Sequence, residues 1–254
     1  MIGRRLGPPL VLVVAVLAGW EVYCRLTGLS PVLLPAPSRV LEQLWAFRSD
    51  ALRHTIPTVV EAVVGLGLSV VFAAGAASVM DRSEPVRRAV APLLVGSQTI
   101  PVVAVAPLLV IWFGFGLEPK VFVVILVTFF PMTIALLDGF ASVEADATDL
   151  FRSLGAGRGE QFRLLRWPTA LPRFFTGLRV AATYAVIGAV FGEYVGAREG
   201  LGIWMQLSQN AFRTDLVFGA ILLTAVVSVG LFFLVSVAER LVIPWYAAAR
   251  RAAA

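Results

Sequence analysis

Six stretches of this chain are apolar for long enough to cross a lipid bilayer, and that pattern constrains everything else about the fold. They run over about 8–26, 56–80, 89–113, 119–139, 175–197 and 216–239. Crossing the hydrocarbon core takes about 20 helical residues. Lipid offers the backbone no hydrogen-bond partner, so such stretches satisfy themselves as helices. The chain is 59% hydrophobic and only 15% charged, against about 25% charged in a soluble domain. It has too little polar surface to wrap a water-soluble core. The expectation is an all-α integral membrane protein, one domain over residues 1–254 with six transmembrane helices. The first stretch taken alone has the form of a secretory signal peptide. No A-x-A cleavage site follows it and further stretches do, so an uncleaved first helix is expected.

The charged residues exclude several functions. Of the 21 basic residues 20 are Arg, and Lys120 is the only lysine. A phosphate-cradling loop of the form G-x-x-x-x-G-K-[ST] needs its lysine in that frame. Lys120 lies between Pro119 and Val121, so any ATP used is hydrolysed by another chain. One His and one Cys exclude a multi-ligand soft-metal site, and His54 has no ligand companion nearby in sequence. No catalytic constellation, no metal site and no cofactor site is read. A pI near 10.1 raises nucleic acid as a partner, but the arginines fall between apolar stretches and not along a solvated face, so none is expected. With the amino terminus inside, 14 basic residues lie on the cytoplasmic side and seven outside, which fits the positive-inside bias and puts both termini in the cytoplasm. Pro37-Ser38, followed by Val40, Leu41, Leu44, Trp45 and Phe47, reads as a capped amphipathic helix at the outer interface.

The third stretch is interrupted. Pro92, Pro101 and Pro107 lie in it, and its centre reads Gly96-Ser-Gln-Thr-Ile-Pro101. Each interior proline removes a helix hydrogen bond, and irregular backbone at membrane depth survives only against protein or water. Gln98, Thr99, Pro101 and the intramembrane Glu193 are therefore candidates for a solute pathway. The competing readings are a kinked packing helix, a Gln98 bonded to its neighbour helix, and a Glu193 at the outer interface paired with Arg198. Glu61 reads as interfacial, and the small residues from Gly65 to Ala77 as a packing face. The half-apolar run from Gly200 to Phe212 reads as a short helix at the outer face.

Residues 142–172 are too polar to cross a membrane and too long for a tight hairpin. Asp146–Leu154 reads as a short helix that Gly155 terminates, and Gly159–Arg166 as a second one ending before Pro168. With Leu154 and Phe162 outward, the pair suits a groove on another protein. A basic loop that only fixes topology fits the residues equally well.

These residues carry a resemblance. The loop resembles the cytoplasmic loop of permease subunits of binding-protein-dependent ABC importers, whose signature is E-A-A, three residues, Gly, nine residues, then Ile-x-Leu-Pro. Here it reads Asp149-Leu150-Phe151, Gly155 and Leu165-Arg166-Trp167-Pro168, with the spacing intact and the leading triplet altered. The altered triplet is common in the nitrate/sulfonate/taurine-type branch. Ser97–Leu108, Ile111–Gly116, Gly177-Leu-Arg-Val-Ala and Gly200-Leu-Gly are similar to that branch too, and the likeness covers about 30–240. Ile187–Ala197 and Asp215–Ala220 look most like permeases for thiamine-precursor pyrimidines, with riboflavin-type permeases close by.

The resemblance implies a type I ABC importer permease fold in a bacterial cytoplasmic (inner) membrane. It implies two permease subunits, a homodimer by default, two copies of an ATPase subunit, and an extracytoplasmic solute-binding protein. The loop between the fourth and fifth spans becomes a coupling helix, with Asp149, Leu154, Gly155, Ala156, Leu165 and Pro168 at or near the ATPase contact. The solute it implies is a thiamine-precursor pyrimidine, the alternatives being sulfonate, taurine, nitrate or riboflavin. A stand-alone secondary transporter is the rival class. It would be expected to show an internal repeat and more intramembrane charge, and neither is read here.

Overall fold

The computed structural model describes residues 2–246, without the side chains of residues 2–6, 9 and 10. The described residues form eleven α-helices and one π-helical turn. In chain order these are α1 (Ile2–Thr27), α2 (Pro37–Ala46), α3 (Arg48–Arg82), α4 (Glu84–Ser97), α5 (Val102–Phe113) and α6 (Glu118–Ala141). There follow α7 (Ala145–Ser153), α8 (Arg158–Gln161), the π turn (Phe162–Arg166), α9 (Trp167–Gly196), α10 (Leu201–Asn210) and α11 (Thr214–Val242).

Four helical segments are long and apolar enough to cross a membrane: α3, α6, α8–α9 taken through the π turn, and α11. A fifth arises if α4 and α5 count as one broken span. The first apolar stretch is helical as α1, but it begins among side chains outside the described ones. Arg4 and Arg5 belong to those, and Arg250 and Arg251 lie beyond the described residues.

Two sequence expectations change in detail. The stretch 89–113 is not one helix but two, bent by 98° at the break between Ser97 and Val102. Pro101, extended at ψ 113°, starts α5 where its missing N–H costs nothing. The second helix of the 142–172 loop does not end before Pro168. It continues through the π turn into α9, with Pro168 in the first turn of α9. A proline in a running helix meets the carbonyl four residues back, and the widened π turn just before it accommodates the misfit.

The centre of the bundle is α6 against α9, drawn close by small residues. A Cβ added at Gly177 would stand 2.5 Å from the Cβ of Ala135, one at Gly188 would stand 2.8 Å from Val127, and one at Gly139 2.7 Å from Ala170. Between helices that gain nothing from excluding water, this closeness is what supplies attraction. Met132, Phe175, Leu178 and the row Ala181, Ala182, Ala185 and Ala189 fill the seam with Ala62, Leu66 and Ala73 of α3. The small-residue face of α3 is thus real but one-sided: Gly65 and Ala73 are buried, whereas Gly67 and Gly75 face open space.

A second cluster, Ala51, Val190, Leu201, Trp204, Met205, Leu216 and Ala220, seats α10 among α3, α9 and α11. At that end α2 is amphipathic as expected, with Val40 buried and Leu41 and Trp45 exposed. Helix α9 has 30 residues, about 45 Å at 1.5 Å per residue. It therefore carries the α7–α8 loop at one end and α10 at the other.

Candidate functional site

The loop at the start of α9 is built by its own backbone. Gly155 takes φ +78°, and the N–H groups of Gly155 and Ala156 donate to the carbonyls of Arg152 and Phe151, both at 3.0 Å. That pair of bonds is a Schellman cap, which requires the left-handed residue the sequence supplies. Gly157 N–H then donates to Glu160 Oε2 at 2.8 Å, opening α8, and Gln161 Nε2 donates to the carbonyl of Ala156 at 2.8 Å. Neither α7 nor α8 buries a residue. Leu150 is 58% and Leu154 75% exposed, so apolar side chains project from a knob held rigid by hydrogen bonds. Asp149 is exposed and paired with Arg152 at 3.1 Å, while Ala156, Leu165 and Pro168 are half-buried.

The base of this knob is fixed to the bundle. Phe162 packs against Phe140 of α6 and Trp167 of α9, at ring-centroid distances of 5.5 and 6.1 Å. The guanidinium of Arg82, the last residue of α3, lies 4.6 Å over the Phe162 ring. Arg166 Nη1 reaches both carboxylate oxygens of Asp81 at 2.5 Å. Movement of the loop is therefore mechanically tied to the ends of α3, α6 and α9.

The pathway candidates do not converge. Gln98, Thr99 and Pro101 are exposed at the α4–α5 break, where Thr99 Oγ1 turns back to the Gly96 carbonyl at 2.7 Å. Gln98 lines a cleft of about 410 Å³ together with Ile100, Pro131, Val180 and Tyr184. Glu193 does not line it and is fully buried. Its Oε1 accepts from Thr58 Oγ1 at 2.5 Å and its Oε2 from Gly202 N–H at 2.6 Å; no ion pair forms with Arg198.

Glu193 belongs to a buried polar network that sequence reading missed. Glu61 is buried in the bundle: it is 1% exposed and pairs with Lys120 at 2.7 Å. Thr58 Oγ1 also accepts from Leu201 N–H at 2.9 Å, and His54 Nδ1 accepts from Gly200 N–H at 3.1 Å with its ring stacked on Trp204. The first amides of α10, which a helix leaves without internal partners, are thereby satisfied by side chains of α3 and α9. The glycines are a steric necessity: a Cβ on Gly200 would run into the Glu193 carboxyl, and one on Gly202 would stand 2.4 Å from the Val190 carbonyl oxygen. Nothing local in sequence joins Glu61 to Lys120, 59 residues on. The solitary lysine was the one available signal.

The sequence profile of the family described as "Binding-protein-dependent transport system inner membrane component" matches residues 65–247, which takes in the knob, the broken helix and α10. The chain belongs to this family. The permease is 39% identical over 227 residues to the formylaminopyrimidine transport permease protein ThiX of Halalkalibacterium halodurans, covering 89% of this chain and 90% of that protein. It is 35% identical to the riboflavin transport system permease protein RibX of Chloroflexus aurantiacus, covering 95% and 91%. It is 30% identical to the taurine transport system permease protein TauC of Escherichia coli, covering 89% and 85%. The permease is thus a multi-pass inner-membrane component of a binding-protein-dependent ABC importer, similar along most of its length to transport permeases.

Proposed function

We propose that this permease, as a two-fold homodimer of single domains each with six spans, forms the solute pathway of an importer. Both termini lie in the cytoplasm, and each α7–α8 knob docks into one of two ATPase subunits. The observation that carries this reading is the rigid knob itself. Exposed apolar side chains on hydrogen-bond-locked backbone are costly in water and useful in a groove. Asp149, Leu154 and Ala156 make the contact, Gly155 sets its turn, and Leu165 and Pro168 carry the displacement into α9. ATP-driven closure of the ATPase pair then moves the knobs, and the bundle follows as a rigid body.

On the solute side, the α4–α5 break from two protomers lines the pathway through Gln98, Thr99 and Pro101. Its exposed polar groups need protein or water at membrane depth. Glu193 acts from behind that surface, holding α10 at the mouth where an extracytoplasmic binding protein delivers its load. The solute is a thiamine-precursor pyrimidine, a reading that rests on the relative that carries formylaminopyrimidine. Riboflavin is the second reading, favoured by a relative of similar length and identity.

Two measurements test this. Proteoliposomes holding the permease with its ATPase and binding protein take up solute only with ATP, and the permease alone takes up none in an ion gradient. Gradient-driven uptake by the permease alone defeats the proposal. Calorimetry on the partner binding protein with pyrimidine, flavin, sulfonate and nitrate ligands is expected to rank the pyrimidine tightest by at least about tenfold, or roughly 1.4 kcal/mol. A flavin in that place moves the solute to the second reading.

A further inference from the structure

A cleft of about 610 Å³ lies between the end of α3 and the knob. Its lining includes Arg82, Arg152, Arg158 and Arg166 against one carboxylate, Asp81, with the Phe162 ring as an apolar wall. Arg166 is taken by Asp81, and Arg152 shares Asp149 on the outer rim. Among the described residues Arg82 and Arg158 have no carboxylate partner within ion-pair distance; Arg82 is held only over Phe162. Two guanidinium groups thus border one concavity without an anion.

The surface leading to the cleft is apolar and exposed. On α3 the residues 68, 71, 75, 79 and 82 fall on one face, since 11 residues make three turns of helix. Leu68, Val71 and Val79 on that face are 41%, 66% and 53% exposed, and at Gly75 an added Cβ would meet nothing. An open apolar track about 20 Å long, at 1.5 Å per residue, therefore runs down α3 and ends at Arg82. Acyl chain along the track and phosphate at the arginines is the arrangement this surface fits. Basic pockets between transmembrane helices at the membrane face bind anionic headgroups in this manner, and paired guanidinium groups suit phosphate oxygens.

We infer that this cleft is a binding site for the phosphate headgroup of an anionic phospholipid, held by Arg82 and Arg158 with its chains along Leu68, Val71 and Val79. The bound lipid sits between the transmembrane bundle and the knob, so the headgroup braces the two together.

The test is native mass spectrometry of the full-length permease released from nanodiscs of equimolar phosphatidylglycerol and phosphatidylcholine. The wild-type chain is expected to retain phosphatidylglycerol in preference. R82Q/R158Q loses that retention at least fivefold, R82K/R158K keeps most of it, and R25Q/R48Q, at the other end of the bundle, leaves it unchanged. The charge-keeping pair distinguishes a lost site from a misfolded chain. Equal retention of both lipids, or equal loss in R82Q/R158Q and R25Q/R48Q, overturns the inference. So does displacement of phosphatidylglycerol by excess inorganic phosphate that itself stays bound, which assigns the cleft to a free anion. Retention lost in R82K/R158K as fully as in R82Q/R158Q also overturns it.

Discussion

At the scale of single residues, the buried carboxylates of Glu61 and Glu193 are held by different partners and respond differently to mutation. Glu61 faces Lys120, and only one of its oxygens finds a hydrogen bond among the described residues. Lys120→Met strands a buried carboxylate, which costs about 3–5 kcal/mol. Lys120→Met with Glu61→Gln recovers most of that loss, because removing both charges restores neutrality. Thermal unfolding of the solubilised chain in a double-mutant cycle checks the pair, and additive effects would disprove the coupling. Glu193→Ala leaves Gly202 N–H without an acceptor, at about 1–3 kcal/mol, while Thr58 Oγ1 falls back on the His54 carbonyl at 3.2 Å. Glu193→Gln keeps one acceptor oxygen and is expected to lose less. Gly155 is a cleaner case. A side chain there meets no atom, so only the left-handed backbone, at φ +78°, resists replacement. Asn visits that region and Val does not, the strain being about 1–2 kcal/mol. Gly155→Asn is expected to keep ATP-coupled uptake, whereas Gly155→Val inserts normally but loses coupling. Normal uptake by a well-inserted Val variant refutes the role given to the turn.

At the scale of elements, α10 is held as a capped unit. Three successive amides at its start are bonded to His54, Thr58 and Glu193, and Trp204 stacks on the same histidine. Protection of these amides from hydrogen exchange should therefore depend on α3 and α9 and not on the length of α10. His54→Ala with Thr58→Val is expected to raise exchange across 200–204 by more than tenfold, with α6 unaffected. Exchange unchanged in that variant would mean the cap is incidental. The start of α9 illustrates another element-scale balance. Pro168 permits a continuous helix only because the turn before it widens, and Phe162 in that turn is what anchors the knob to Phe140 and Trp167.

At the scale of the whole molecule, the close α6–α9 seam joins the knob end to the α10 end. Gly177 and Gly188 occupy it where the neighbouring atoms leave no room for a side chain. Gly188→Leu is expected to destabilise the bundle by overpacking, about 1–3 kcal/mol, and to reduce uptake even where ATP hydrolysis persists. Uptake per hydrolysed ATP measures this, and an unchanged ratio would show that the seam does not transmit motion. Much of the architecture was legible beforehand. The apolar stretches anticipated α3, α6, α9 and α11, Gly155 anticipated the cap, and Pro101 the break. The direction of that break, the π turn and the Glu61–Lys120 pair were not legible, since each depends on a neighbour distant in sequence.

By itself, then, the sequence determined that this chain lives in lipid, that its helices start and stop near their glycines and prolines, and that it lacks a phosphate-binding lysine loop. These follow from local chemistry: hydropathy over about 20 residues, backbone freedom at Gly, and a missing donor at Pro. Only the tertiary structure decided which polar groups are satisfied and by whom. Glu193 reads in sequence as a pathway residue or an interfacial ion pair, and in the fold it is a buried cap for α10. The reason is physical. Burial makes an unpaired charge or amide costly, so the partners are set by the packing of α3, α6, α9 and α10, which no single segment encodes.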